Sequence, residues 1–179
     1  MPMPPRGFSI VELVAALVVM SALLVAGIPA MAILRERADT LNAFHTLTTS
    51  LMSARMAAIS RRMAVTVCPS ADGRYCRDDL VWEQGWIVYY DPDREKQPSD
   101  AGAVLWHEPE RTGRLAIRST AGRHRVRYQP TGLSGGNNLT LRVCSHRGPH
   151  HLGDVVVNLA GRARTQPGKA PDSPCPYVP

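Results

Sequence analysis

The stretch from Ile10 to Leu34 constrains this chain more than any other part of it. It is 25 residues long, and only Glu12 within it carries a charge. A helix of that length and apolarity is enough to cross a bilayer. A carboxylate near the middle of a bilayer costs about 2.5–3.5 kcal/mol on insertion scales, so Glu12 calls either for a partner that the lipid does not supply or for snorkelling to the interface. A cleaved secretory signal ending near Ala30-Met31-Ala32 is the rival interpretation. Glu12 would interrupt its apolar region, which is also longer than usual, and the following residues continue as helix without a breaker.

That continuation is amphipathic. Phe44, Leu47, Leu51, Ala54 and Ala58 fall on one helical face, and Met52, Met56, Ile59 and Met63 make a neighbouring stripe. After Met63 the texture changes to short β-like runs: 64–68, 86–90, 103–107, 114–118, 124–128, 138–144 and 154–159. Turn signals such as Asp91-Pro92-Asp93, Gly135-Gly136-Asn137 and Ala160-Gly161 separate them. One long helix followed by seven short strands predicts an α+β fold, with antiparallel sheet packed on the C-terminal half of the helix. The expected divisions are 8–34 as the apolar helix, 35–63 as its amphipathic half, 64–165 as the β domain and 166–179 as a proline-rich tail.

The four cysteines match no zinc or redox spacing. An even count behind a membrane-targeted N-terminus suggests disulfides in an oxidising compartment. Of three possible pairings, Cys68–Cys76 and Cys144–Cys175 are expected. The first closes a short loop with an Asp72-Gly73 turn, and the second ties down the proline-rich tail. No metal site is expected. His146, His150 and His151 sit in a loop around Gly148-Pro149, and a calcium site from Asp91, Asp93 and Glu95 would be incomplete. No catalytic constellation, P-loop or dinucleotide fingerprint occurs, so neither a cofactor nor enzymatic activity is expected.

Charge is uneven. From Arg35 to Glu110 there are nine basic and twelve acidic residues, but from Arg111 onward eleven basic residues face only Asp154 and Asp172. A basic C-terminal half suits a polyanion, either nucleic acid or an anionic membrane surface. The most pointed stretch is Gly161-Arg162-Ala163-Arg164. In extended chain Arg162 and Arg164 lie on one side about 7 Å apart, a spacing fit for clamping successive phosphates. Lys169 adds a further charge. Arg123, Arg125 and Arg127 alternate on one run, and together with Arg142 they are secondary candidates.

The N-terminal pattern of a basic leader ending in Gly7, then Phe8-Ser9-Ile10-Val11-Glu12-Leu13 and about twenty apolar residues, resembles the class III signal of type IV pilins and type II secretion pseudopilins. The resemblance implies a leader over residues 1–7, cleavage between Gly7 and Phe8 by a prepilin peptidase, and N-methylation of Phe8. It gives Glu12 a role in assembly, opposite the Phe8 amine of a neighbouring subunit. The stretch WEQGWIVYYDPD at 82–93 is similar to the GspH/FimT group of minor pilins, and Gly161-Arg162-Ala163-Arg164 resembles a C-terminal Gly-Arg-x-Arg motif of FimT-type members that contributes to DNA binding. These resemblances imply a single-pass inner-membrane protein of a Gram-negative bacterium, its β domain periplasmic, later part of a pilus at the cell surface. Its implied partners are other pilins and double-stranded DNA captured without sequence preference for natural transformation. The alternative is a purely structural subunit, a type II secretion pseudopilin or a primer of pilus assembly.

Overall fold

In a computed structural model of the chain, the described residues are 9–110, 115–136, 138–146, 150–168 and 175, with the side chains of 26, 29 and 30 outside the description. The cleavage site at Gly7 and Phe8, and Lys169, therefore lie outside the described residues. The chain divides into two compact units, one ending at Ala38 and one beginning at Asp39.

Helix α1 runs Ile10–Arg61 and contributes residues to both units. In the first unit its described side chains are exposed, Glu12 among them, apart from the half-buried Ala32 and Glu36. Among the described residues no helix is long and apolar enough to cross a membrane.

In the second unit the predicted stripe turns inward. Ala43, Leu47, Leu51, Ala54 and Ala58 are all buried and Phe44 packs beside them. Alanines at three of these five contacts let the helix lie close against sheet. The neighbouring stripe behaves differently, because Met52, Met56, Ile59 and Met63 remain exposed. The helix ends in a Schellman-type cap: the Met63 N–H donates to Ala58 O and the Arg62 N–H to Ile59 O. Arg62 takes the left-handed φ of 51° that glycine more often fills.

All seven expected strands are present, and an eighth follows. They are β1 (Val65–Pro69), β2 (Gly85–Tyr90), β3 (Val104–Pro109), β4 (Leu115–Ser119), β5 (Val126–Tyr128), β6 (Leu139–Ser145), β7 (His151–Val157) and β8 (Ala163–Pro167). They form two four-stranded antiparallel sheets, ordered β3-β2-β1-β5 and β4-β6-β7-β8. Both contribute to one core: Val65, Val67, Trp86 and Val88 from the first, Ile117, Leu141, Val143 and Val155 from the second. Trp82 and Trp86 are fully buried, their rings 6.5 Å apart.

The two disulfides pair as expected, Cys68–Cys76 and Cys144–Cys175. Each covers the outer face of a sheet. The first packs against Ile87 and Tyr89, the second against Ala116.

Tyr128 has a fully buried side chain whose hydroxyl finds no hydrogen-bond partner among the described residues. Burial pushes its pKa above the ordinary tyrosine value of 10. The folded state therefore holds this proton more tightly than the unfolded chain does, and the stability it carries is complete below pH 10 and falls as pH rises beyond that. Tyr128→Phe is expected to leave stability at pH 7 unchanged or slightly raised, because it removes an unpaired buried hydroxyl. It should also flatten the alkaline loss seen in denaturant midpoints measured from pH 8 to 11.

Candidate nucleic-acid interface

The stretch carrying the arginine pair is a hairpin rather than a loose tail. Strand β8 pairs with β7 in the register Val157↔Ala163, Val156↔Arg164 and Asp154↔Gln166. The connection is a short turn in which the Gly161 N–H donates to Asn158 O and the Asn158 N–H to Arg162 O. The Asn158 side-chain oxygen accepts from the Arg162 N–H at 3.0 Å. Gly161 sits at φ 73°, the left-handed position that closes a three-residue hairpin with a bulge. A side chain there would be obstructed as well as strained, since a Cβ would lie 2.1 Å from Gly132 O. That same carbonyl accepts from Arg55 Nε of α1 at 2.9 Å. Ser134 ties the hairpin to the same loop, its N–H donating to Leu159 O and its hydroxyl to Asn158 O, and Arg55 ties that loop to the helix.

Arg162 and Arg164 are both exposed, and neither guanidinium meets a carboxylate among the described residues. Arg162 precedes β8, and Arg164 lies within it on the side shared with Val156 and Thr140. A groove of about 300 Å³ beside the hairpin is lined by Met52, Arg55, Met56, Gly161, Arg162 and Ala163.

The secondary candidates are not brought together. Only Arg127 lies in β5, while Arg123 and Arg125 precede it. Arg127 Nε donates to Asp91 at 2.6 Å, and one of its terminal nitrogens donates to Glu95 O. Arg125 reaches Lys96 O and lies 3.5 Å from Asp78. Arg142 lies 3.3 Å from Asp154, which also meets His151 Nε2 at 2.9 Å. Arg123 has no carboxylate partner among the described residues.

Asp91 is more than a turn residue. It is buried, and its carboxylate accepts from the Thr66 hydroxyl, from Arg127 and from the Glu95 N–H. With those bonds made, it has little capacity left for calcium. No group of three or more metal-ligating side chains occurs among the described residues. The signal for this network was present in the sequence as Asp91 and Arg127, but only sheet pairing (Thr66↔Arg127 and Thr66↔Tyr89) brings them together.

A helix whose C-terminal turns pack on two antiparallel sheets, capped by disulfides and carrying a basic hairpin at one sheet edge, is the architecture of a pilin-like subunit. The chain belongs to the GspH family, described as type II transport protein GspH, which matches residues 43–161. Two crystal structures of the type IV minor pilin FimU from Pseudomonas aeruginosa strain PAO1 share its fold. One has a TM-score of 0.54 at 19% identity over 71% of this chain and 92% of that one. The other has 0.55 at 20% identity over 74% and 91%. No curated protein matches the chain significantly.

Proposed function

We propose that the chain is a minor pilin that binds extracellular double-stranded DNA and promotes its uptake in natural transformation. The observation that supports this reading is the β7–β8 hairpin, a braced turn presenting two guanidiniums to solvent with no carboxylate opposite either among the described residues. Contacts to phosphate carry no base information, so binding is electrostatic and indifferent to sequence. In this reading Glu12 waits exposed on the apolar helix until a neighbouring subunit's Phe8 amine, freed by prepilin peptidase at Gly7–Phe8 and methylated, pairs with it in a filament. Pairing offsets a cost that an isolated buried carboxylate would bear alone. The protein is held in the inner membrane before assembly, its β domain periplasmic, and reaches the cell surface in the pilus.

A second reading is favoured by the family's description as a type II transport protein. It makes the chain a structural pseudopilin or an assembly primer with no DNA contact. The two are separated by titrating random-sequence duplex DNA against the full chain in zwitterionic detergent. Under the first reading wild type binds, and affinity falls steeply with salt. Arg162→Gln/Arg164→Gln should lower affinity by roughly one and a half to three orders of magnitude, at about 1–2 kcal/mol per lost phosphate contact. Equal affinity in the double variant removes the assignment of the hairpin, and no binding by wild type favours the structural subunit.

A further inference from the structure

The outer face of the second sheet carries cations that the hairpin alone does not use. Register decides which side chains share it. Arg118 pairs with Arg142, Arg142 with Asp154 and Asp154 with Gln166, one row across four strands. Thr140, Val156 and Arg164 make the next row on the same face, since residues two apart along a strand point the same way. The alternate residues Ile117, Leu141 and Val155 fill the core behind them. The disulfide Cys144–Cys175 with Ala116 closes one end of the outer face.

Beyond that closed end lies a hollow of about 310 Å³ bordered by Arg118, Thr120, Thr140 and Arg142. It shares Thr120 and Ala121 with a second hollow, of about 530 Å³, which reaches Arg123, Asn138 and Leu159. Leu159 belongs to the β7–β8 turn, so the depression ends beside the arginine hairpin. Glu83 opposes Arg118 and Asp154 opposes Arg142. Arg123 and Arg164 have no such opponent among the described residues, so the face keeps a net positive charge.

We propose that this depression is a second contact for the DNA backbone, a track running from the Arg162/Arg164 hairpin across Thr140 to Arg123. It rests on the DNA-binding reading given above. The cations do not converge on one point as they would around a small anion. Strands β6 and β8 lie two inter-strand spacings apart, about 10 Å, so the face offers separated charges along a line, which suits an extended polyanion. The hydroxyl of Thr140 and the amide of Asn138 lie along the track as neutral donors.

The test uses the full chain in zwitterionic detergent and a fluorescent random-sequence duplex, titrated at several salt concentrations. Arg123→Gln breaks no ion pair seen among the described residues. It is expected to weaken binding roughly threefold to tenfold and to lower the slope of log affinity against log salt by about one. Thr140→Glu places a carboxylate in the middle of the track and should weaken binding at least as much. Thr49→Glu, exposed on α1, makes the same change in net charge elsewhere and is expected to bind within about twofold of wild type, because salt screens distant exposed charges. Thermal melts of each variant confirm that it is folded. Equal weakening by Thr49→Glu and Thr140→Glu overturns the track, as the effect is then net charge alone. Wild-type affinity in both Arg123→Gln and Thr140→Glu also overturns it. If the Arg162→Gln/Arg164→Gln variant is still weak in that case, the hairpin reading stands without the track. Absence of binding by wild type overturns both.

Discussion

Asp91→Ala is expected to lower the stability of the chain by about 3–5 kcal/mol, the range seen when one member of a buried ion pair is removed. The carboxylate is buried within the first sheet and accepts three bonds: 2.6 Å from Thr66 Oγ1, 2.6 Å from Arg127 Nε and 2.7 Å from the Glu95 N–H. Its own N–H donates to Ala64 O at 2.8 Å, at the point where the chain leaves α1. Removing the carboxylate leaves the Glu95 N–H unpaired, takes away the acceptor of the buried Thr66 hydroxyl proton, and strands a guanidinium whose side chain is 23% exposed. Each of those losses carries its own desolvation penalty. For a chain of this size the thermal midpoint should fall by on the order of 10 °C, as followed by circular dichroism of the detergent-solubilised chain. Arg127→Gln should cost less, because the Thr66 and Glu95 bonds to the carboxylate survive. A shift in Asp91→Ala no larger than that of an ordinary surface substitution, about 0.5 kcal/mol, would show that the network does not hold the sheet.

The same network marks a boundary of what the sequence discloses. Arg123, Arg125 and Arg127 look alike when read by alternation, as a basic ladder on one exposed strand. Pairing separates them. Arg127 lies opposite Thr66 and is drawn to Asp91, 36 residues earlier in the chain, while Arg123 lies before the strand near the other sheet's hollow. Separations of that kind are invisible to local pattern. Periodicity worked where burial is one-sided, so Leu47, Leu51, Ala54 and Ala58 could be placed on the core face from spacing alone. It did not distinguish the buried stripe from the methionine stripe beside it, since both are apolar and both recur at helical intervals. Cysteine pairing was legible because one pair spans only eight residues and the other anchors a tail. Strand β8 was not legible. ARTQP has a single β-branched residue and ends in proline, and it is strand only because the β7 backbone offers it partners. Pro167 is tolerated because β8 is the last strand in its sheet.

That hidden strand is why Gly161→Ala should have an effect well beyond that of a surface methyl group. In an extended tail the change would be neutral or slightly stabilising, since it restricts the unfolded chain. In the hairpin it is opposed twice. The φ of 73° costs an L-residue about 1–2 kcal/mol, and the new Cβ would lie 2.1 Å from Gly132 O and 3.2 Å from Arg55 Nε. A backbone carbonyl held by Arg55 has little room to retreat, so the turn must open or the hairpin must lift from α1. A total loss of about 3 kcal/mol follows, and the thermal midpoint should drop by on the order of 10 °C. Gly161→Asn separates the two causes, because Asn tolerates left-handed φ better than Ala but carries the same Cβ. Equal losses in the two variants assign the effect to the contact with Gly132, and a much smaller loss in Asn assigns it to φ. The Arg162→Gln/Arg164→Gln variant should melt like wild type, since neither guanidinium is paired among the described residues. If Gly161→Ala also weakens DNA binding while still folded, the glycine acts by aiming the two arginines. A melt unchanged from wild type would mean that residues 158–164 are not held in this hairpin, and the spacing of the arginine pair would then revert to that of a free extended chain.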